Sequence, residues 1–271
     1  MPESSKCPVC GSNSSPDRLE LGGYRLDLCP QCRLRFAPGA FDAPIDYDRV
    51  YQTPEYEAEQ VHALHGIDGR EIAEHPTYRS FFQQVDHLPA AALLDIGCGV
   101  GRFGHAAHAK GWKVTGIDVS PLAIAAGQSV APFPLRACTV EELVEAEERF
   151  DVVTAFEVLE HLSDPLEFIL NAKRLLRPGG QIFCTVPNWQ CETVQTSKRP
   201  DWLPPIHLLF FSRPSLQRLG ELAGLRTVIT GFIRGDPLPS RAIPRVRWLT
   251  RRFRLQPREP LGLWLHGRLP V

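Results

Sequence analysis

The run Leu93-Leu94-Asp95-Ile96-Gly97-Cys98-Gly99-Val100-Gly101-Arg102-Phe103 sets a carboxylate and three alternating glycines between an apolar, strand-like stretch and a helix-like one. Glycines so spaced let a backbone turn sharply and approach a ligand closely, because they accept positive φ and carry no Cβ; the arrangement points to a nucleotide-type cofactor. A dinucleotide turn requires Gly-x-Gly-x-x-Gly or Ala. The position that must be small for close helix–strand packing holds Arg102 here, so the spacing disfavours NAD. Further on, Val114-Thr115-Gly116-Ile117-Asp118-Val119-Ser120 is a short strand ending in an acid, where a carboxylate can take both hydroxyls of a ribose. A third run, Phe150 to Leu162, carries a strand into Glu157, Glu160 and His161. In open α/β sheets the C-terminal edge of a strand is where ligands lie. His161, and His207 after the fifth strand, have the ordinary side-chain pKa for moving a proton near neutral pH.

The cysteines form a separate centre. Cys7-Pro8-Val9-Cys10 and Cys29-Pro30-Gln31-Cys32 are two C-x-x-C knuckles separated by 18 residues, the spacing of a four-thiolate zinc site. Between them Leu19-Glu20-Leu21 and Tyr24-Arg25-Leu26 predict a hairpin around Gly22-Gly23 that brings the knuckles together. Four cysteines close the metal's coordination shell, so the zinc is expected to be structural or to serve substrate docking; a redox pair is the alternative. A segment this short buries little surface, so zinc would supply most of its stability. Cys98, Cys138, Cys184 and Cys191 lack such spacing and read as buried neutral thiols.

These groups need a scaffold, and from Ala91 the pattern alternates. Strands are predicted at 91–96, 113–117, 134–138, 151–156 and 180–186, with helices at 102–110, 121–128, 140–147 and 165–176. That order gives a Rossmann-like, doubly wound α/β fold with a mostly parallel sheet, preceded by a small N-terminal zinc ribbon. Pro178-Gly179-Gly180 is expected to stop the last of these helices. A helix over Glu71–Leu88 leads into the core, and a helix over Arg213–Gly224 with a strand over Leu225–Ile233 completes the sheet. The domain reading is residues 1–36 ribbon, 37–70 linker, 71–233 core and 234–271 an Arg/Pro-rich extension. That last segment holds nine Arg against Asp236 and Glu259. It reads as a solvated tail or as a docking surface for a phosphate-bearing substrate or an anionic membrane.

The glycine run with Asp118 resembles the class I methyltransferases, whose cofactor S-adenosylmethionine carries an ammonium and a sulfonium that would suit the Asp95 carboxylate. The resemblance implies cofactor contacts at Asp95, Gly97, Cys98, Gly99, Gly101, Asp118 and Val119. It adds Thr139 and Val140 beside the adenine and Phe156 and Glu157 beside the methionine part, with Cys98 as a small packing residue. Phe150–Leu162 resembles the Glu-x-x-Glu-His signature of the ubiquinone-biosynthesis O-methyltransferases and the small-RNA 2′-O-methyltransferases. In those families the two acids and the histidine, joined in the RNA enzymes by a further histidine, are associated with a divalent metal near the methyl acceptor. The matching residues are Glu157, Glu160 and His161, with His207 as further ligand or general base. A local polar network without metal is the other reading of the same residues. The catalytic expectation is His161, His207 and Glu160.

Ribbon and core together are similar to bacterial methyltransferases with an N-terminal zinc-binding segment, several of which act on nucleotide-linked sugars or in surface-glycan pathways. The resemblance implies O-methylation of a sugar, nucleotide-sugar, glycan or other small-molecule acceptor, with C-methylation of a keto-sugar next. A cofactor-binding module that docks nucleic acid or protein is the rival class, and the intact Asp95, glycines and Asp118 argue against it. A net charge of −1 over 271 residues implies no general affinity for polyanions, so nucleic acid is not an expected partner. The N-terminus lacks the apolar core of a secretory signal, no apolar run approaches the length of a membrane span, and the cysteine usage suits reduced thiols; the expected location is cytoplasmic.

Overall fold

The computed structural model describes residues 5–43, 45, 68–85, 87–233, 260 and 262–270. Most of the 37–70 linker and the Arg-rich part of the 234–271 extension, with its docking reading, lie outside them.

Gly22 and Gly23 set the first element. Both adopt positive φ, 58° and 82°, the mirror-image turn whose twist matches a two-residue hairpin. The turn joins β1 (Ser15–Leu21) to β2 (Tyr24–Leu28), with Leu21 opposite Tyr24. The two cysteine knuckles flank this hairpin as the spacing predicts. β3 (Arg35–Phe36) pairs with β2 on one side and with β9 (Leu209–Phe210) on the other. The ribbon's sheet is therefore finished by a strand from the far end of the core. The linker's first residues also belong to the ribbon: Ala37 and Ala40 are fully buried, and the Phe41 ring stacks on Phe36.

The second sheet is built from β4 (Ala92–Ile96), β5 (Lys113–Asp118), β6 (Leu135–Ala137), β7 (Phe150–Phe156), β8 (Leu176–Pro187), β10 (Arg226–Ile233) and β11 (Gly262–Arg268). Their order is β10-β11-β8-β7-β4-β5-β6. The four ladders from β8 to β6 are parallel, and β11 runs antiparallel between β8 and β10. The strands are apolar on both faces, as parallel strands covered on both sides must be. Leu93 and Val152 face one cluster, Leu94 and Val153 the other. On the first face lie α1 (Gly69–Ala73), α2 (Pro76–Val85) and α3 (Arg102–Ala109). On the second lie α5 (Val140–Glu145), α6 (Pro165–Arg174) and α8 (Arg213–Leu222), together with ribbon residues Val9, Leu26, Leu34 and Phe36. α4 (Pro121–Gln128) follows β5, and the short α7 (Glu192–Gln195) follows β8. Among the described residues no helix is long and apolar enough to cross a membrane.

Three expectations change. The helix over Glu71–Leu88 is two helices, because Pro76 lacks an N–H and disfavours a helical residue before it; it opens α2 instead. The Pro178-Gly179-Gly180 stop is not used: α6 ends at Arg174, and β8 has already begun at Leu176. Those residues bulge from the ladder, between the pairs Phe150↔Leu176 and Val152↔Gln181, and Gly180 accepts a hydrogen bond from Leu269 N–H. Finally, Leu225–Ile233 does not finish the sheet alone. Gly262–Arg268, inside the segment read as an extension, is a sheet strand with Leu263 and Leu265 fully buried.

Deleting the chain from residue 260 onward would strip β8 and β10 of their shared partner. With total stabilities of about 5–15 kcal/mol for a domain, this truncation is expected to abolish cooperative unfolding in a thermal melt followed by circular dichroism. A wild-type-like melt would contradict the placement of β11.

Candidate active site

The strand order reverses at β4 and β7, and the carboxyl ends of these strands open a crevice where α/β sheets hold ligands. A cavity of about 900 Å³ lies there, with Gly97, Asp118, Thr139, Glu157, Glu160 and His207 among its walls. Gly97 has φ 70°, and a Cβ on it would meet Val158 Cγ2 at 2.5 Å. The turn therefore needs glycine for both conformation and space.

Of the predicted cofactor residues, Gly97, Asp118, Val119, Thr139, Val140, Phe156 and Glu157 reach the cavity; Asp95, Cys98, Gly99 and Gly101 do not. Asp118 is fixed by backbone donors. Its carboxylate accepts from Gly99 N–H at 2.8 Å and Ser120 N–H at 2.9 Å, which ties the β5 end to the glycine turn. Asp95 is 2% exposed and sits behind the turn, accepting from the Thr154 hydroxyl at 2.8 Å. Burial pushes its pKa up to about 7 against the pull of Thr154. Cys98 packs with Phe103 and Leu135, and burial raises its thiol, as a small packing residue should behave.

At the other end of the cavity the acids divide. Glu157 takes a left-handed backbone, φ 55°, unusual outside glycine. Its N–H donates to the Thr185 carbonyl, and the Thr185 hydroxyl donates to its carboxylate at 2.7 Å. Burial raises Glu157 to about 7, with Thr185 acting in the opposite sense. Glu160 follows in a single 3-10 turn, Leu159–His161, and has no exposed surface. Among the described residues, neither of its carboxyl oxygens meets a hydrogen-bond partner. Burial first, then the charge of Glu157, raises its pKa well above the usual range.

His161 Nδ1–H donates to the Ile206 carbonyl at 2.9 Å, which leaves the lone pair of the neutral ring on Nε2. Its ring meets that of His207 edge-on, centroids 4.8 Å apart. Burial lowers both imidazoles, outweighing in His161 the carbonyls of Ile206 and Glu157. One ligand atom from each of Glu160, His161 and His207 lies within 4.8 Å of the others. The structure thus brings together three of the four residues expected around a divalent metal, with Glu157 bound to Thr185 beside them. An orphaned buried carboxylate and two neutral imidazoles are a donor set that fits such a cation.

In the ribbon, Cys7 Sγ lies 3.6 Å from Cys32 Sγ and Cys10 Sγ 3.4 Å from Cys29 Sγ, all four within 4.8 Å. Zinc–sulfur bonds of about 2.3 Å in a tetrahedron give sulfur–sulfur edges of about 3.8 Å, so the sulfurs fit a zinc ion. They are too far apart for disulfides. Among the described residues, none of the ribbon's lines the cavity.

Several contributors escaped the sequence reading. Thr154 and Thr185, which orient Asp95 and Glu157, read as ordinary strand residues. His75, Pro76 and Thr77 reach the cavity because an aromatic cluster seats α2 on the sheet: Tyr78 on Phe156 and Phe81 on Phe103 and Phe183. Arg199, Asp201 and Trp202 complete the far wall, with Arg199 paired to Asp201 and lying over the Trp202 ring. Their position in the loop after a sheet strand was the available signal.

A methyltransferase domain family matches residues 55–229. A ubiquinone biosynthesis O-methyltransferase from Methylobacterium nodulans is 35% identical over 167 residues, covering 57% of this chain and 67% of that relative. One from Hahella chejuensis is 38% identical over 119 residues, covering 42% of this chain and 50% of that relative. The matched stretch thus spans between half and two thirds of these relatives. The crystal structure of a SAM dependent methyltransferase from Archaeoglobus fulgidus has the same fold, with a TM-score of 0.56 at 17% identity over 79% of this chain and 99% of that one. This chain belongs to the family of methyltransferases.

Proposed function

We propose that the chain transfers a methyl group from S-adenosylmethionine to a hydroxyl of a sugar, nucleotide-sugar or similarly small ring acceptor bearing neighbouring oxygens. The observation that carries this reading is Glu160, a buried carboxylate with no hydrogen-bond partner among the described residues, which lines the cavity together with His161 and His207. The curated relatives named above are O-methyltransferases, in keeping with an oxygen acceptor.

In this reading Asp118 holds the ribose hydroxyls and the backbone at Thr139 and Val140 borders the adenine. Gly97, Phe156 and Glu157 enclose the methionine part, with Cys98, Gly99 and Gly101 shaping the turn from behind. Asp95 supplies negative charge beneath the cofactor's cationic end. Transfer is an in-line displacement at carbon with a neutral thioether leaving, so alignment accounts for most of the acceleration. A divalent cation held by Glu160, His161 and His207, with Glu157 beside it, would lower the pKa of the acceptor hydroxyl. His161 and His207, kept neutral by burial, are competent to hold an oxygen's proton or a cation. Zinc in the four-cysteine ribbon has a structural role.

Purified protein incubated with methyl-labelled S-adenosylmethionine and an extract of its own organism should label the sugar or glycan fraction. Label confined to RNA or protein would overturn the acceptor assignment. Glu160→Ala is expected to lower transfer by roughly a hundredfold or more while S-adenosylhomocysteine affinity, read by calorimetry, holds; unchanged transfer would remove Glu160 from the chemistry. Asp95 has a folded pKa raised above its unfolded value, so its contribution to stability is present at low pH and lost as pH rises through the folded value. The stability of Asp95→Asn relative to wild type should therefore increase from about pH 4 to about pH 7, by at most about 1.4 kcal/mol per unit. Urea denaturation without cofactor measures this, and a difference independent of pH would contradict it.

A further inference from the structure

Among the described residues the ribbon contributes none to the cavity wall, yet it holds the segment that carries His207 at four points. Gly22, at the hairpin tip, packs against the cis Pro204-Pro205 segment so closely that a Cβ would lie 2.9 Å from the Pro204 carbonyl and 3.2 Å from Leu203 Cβ. Ala37 N–H donates to the Leu208 carbonyl at 3.0 Å. β3 pairs with β9 through Arg35↔Phe210 and Phe36↔Leu209. The Ser212 hydroxyl donates to the carbonyl of Arg33, at the second cysteine knuckle, at 3.2 Å. The same segment reaches back to the other members of the triad. Leu208 N–H donates to the Glu160 carbonyl at 2.8 Å, and the Ile206 carbonyl orients the His161 ring. The cofactor end of the cavity, at the tips of β4 and β5, takes none of these contacts.

We propose that the four-cysteine ribbon is the positioning element of the acceptor-side triad. Closing its thiolates around zinc fixes the knuckle and hairpin, these fix residues 203–212, and that segment sets where His207 stands relative to Glu160 and His161. Loss of zinc switches off the acceptor half of the site and leaves cofactor binding intact. This inference rests on the methyltransferase reading for its consequence in activity, while its geometric content stands apart from it.

The test uses full-length protein with 13C-labelled histidine, the imidazole signals of His161 and His207 being assigned by His161→Gln and His207→Gln. Two perturbations are compared with wild type: zinc removal by chelation, and Gly22→Val with zinc content checked by metal analysis. The expected result is that both shift the His207 and His161 signals. S-adenosylhomocysteine affinity should stay within about twofold, while kcat falls on the order of a hundredfold, the scale of an ångström's misplacement. His207 signals that do not move after zinc has left would overturn the proposal. So would cofactor affinity falling in step with the shifts, because the ribbon would then be supporting the whole core. Failure of wild-type, zinc-loaded protein to bind S-adenosylhomocysteine would instead overturn the methyltransferase reading, and the histidine signals are read independently of it.

Discussion

The burial of Glu160 is the constraint around which this molecule is arranged. A carboxylate removed from water without hydrogen bonds is costly by several kcal/mol unless it is protonated or paired. Burial favours the uncharged form of every member of the triad, raising Glu160 and lowering His161 and His207. These three side chains line the same cavity, with one ligand atom of each within 4.8 Å of the others. Its walls come from the 3-10 turn after β7 and the loop before β9, and the ribbon backs that loop by pairing with β9.

The sheet divides the labour. β4 and β5 end in backbone turns whose N–H groups fix Asp118 and tie the end of β5 to the glycine turn. β7 leads straight into Glu157, and Thr185, near the end of β8, holds that acid in a backbone conformation it would otherwise avoid. The two halves meet at Gly97, where Val158 leaves no room for a side chain. The ribbon meets residues 203–212, which carry His207, and also packs on the second face of the sheet.

Much of this was legible in the sequence because local pattern and tertiary role agree. The strands from Leu93 to Val186 are apolar on both faces, the fingerprint glycines sit where positive φ is needed, and the cysteine spacing fixes the ribbon. What was not legible depends on contacts distant in sequence. Gly262–Arg268 mixes glycine, tryptophan and histidine beside an Arg/Pro-rich stretch, and its strand character comes from being zipped between β8 and β10. Asp95 looks like a ligand by position, yet its carboxyl turns toward Thr154, a direction that only the neighbouring strand determines. The split between Glu157 and Glu160 is similar: the motif places both near the acceptor, and Thr185 decides which one keeps a partner.

Crystals of the full chain grown with S-adenosylhomocysteine and Mn2+, with anomalous diffraction recorded at the manganese edge, test the central claim most directly. One anomalous peak is expected, bounded by Glu160, His161 and His207, beside a cofactor whose ribose lies on Asp118. Bound cofactor with no peak at the triad, or a peak at another site alone, would contradict it.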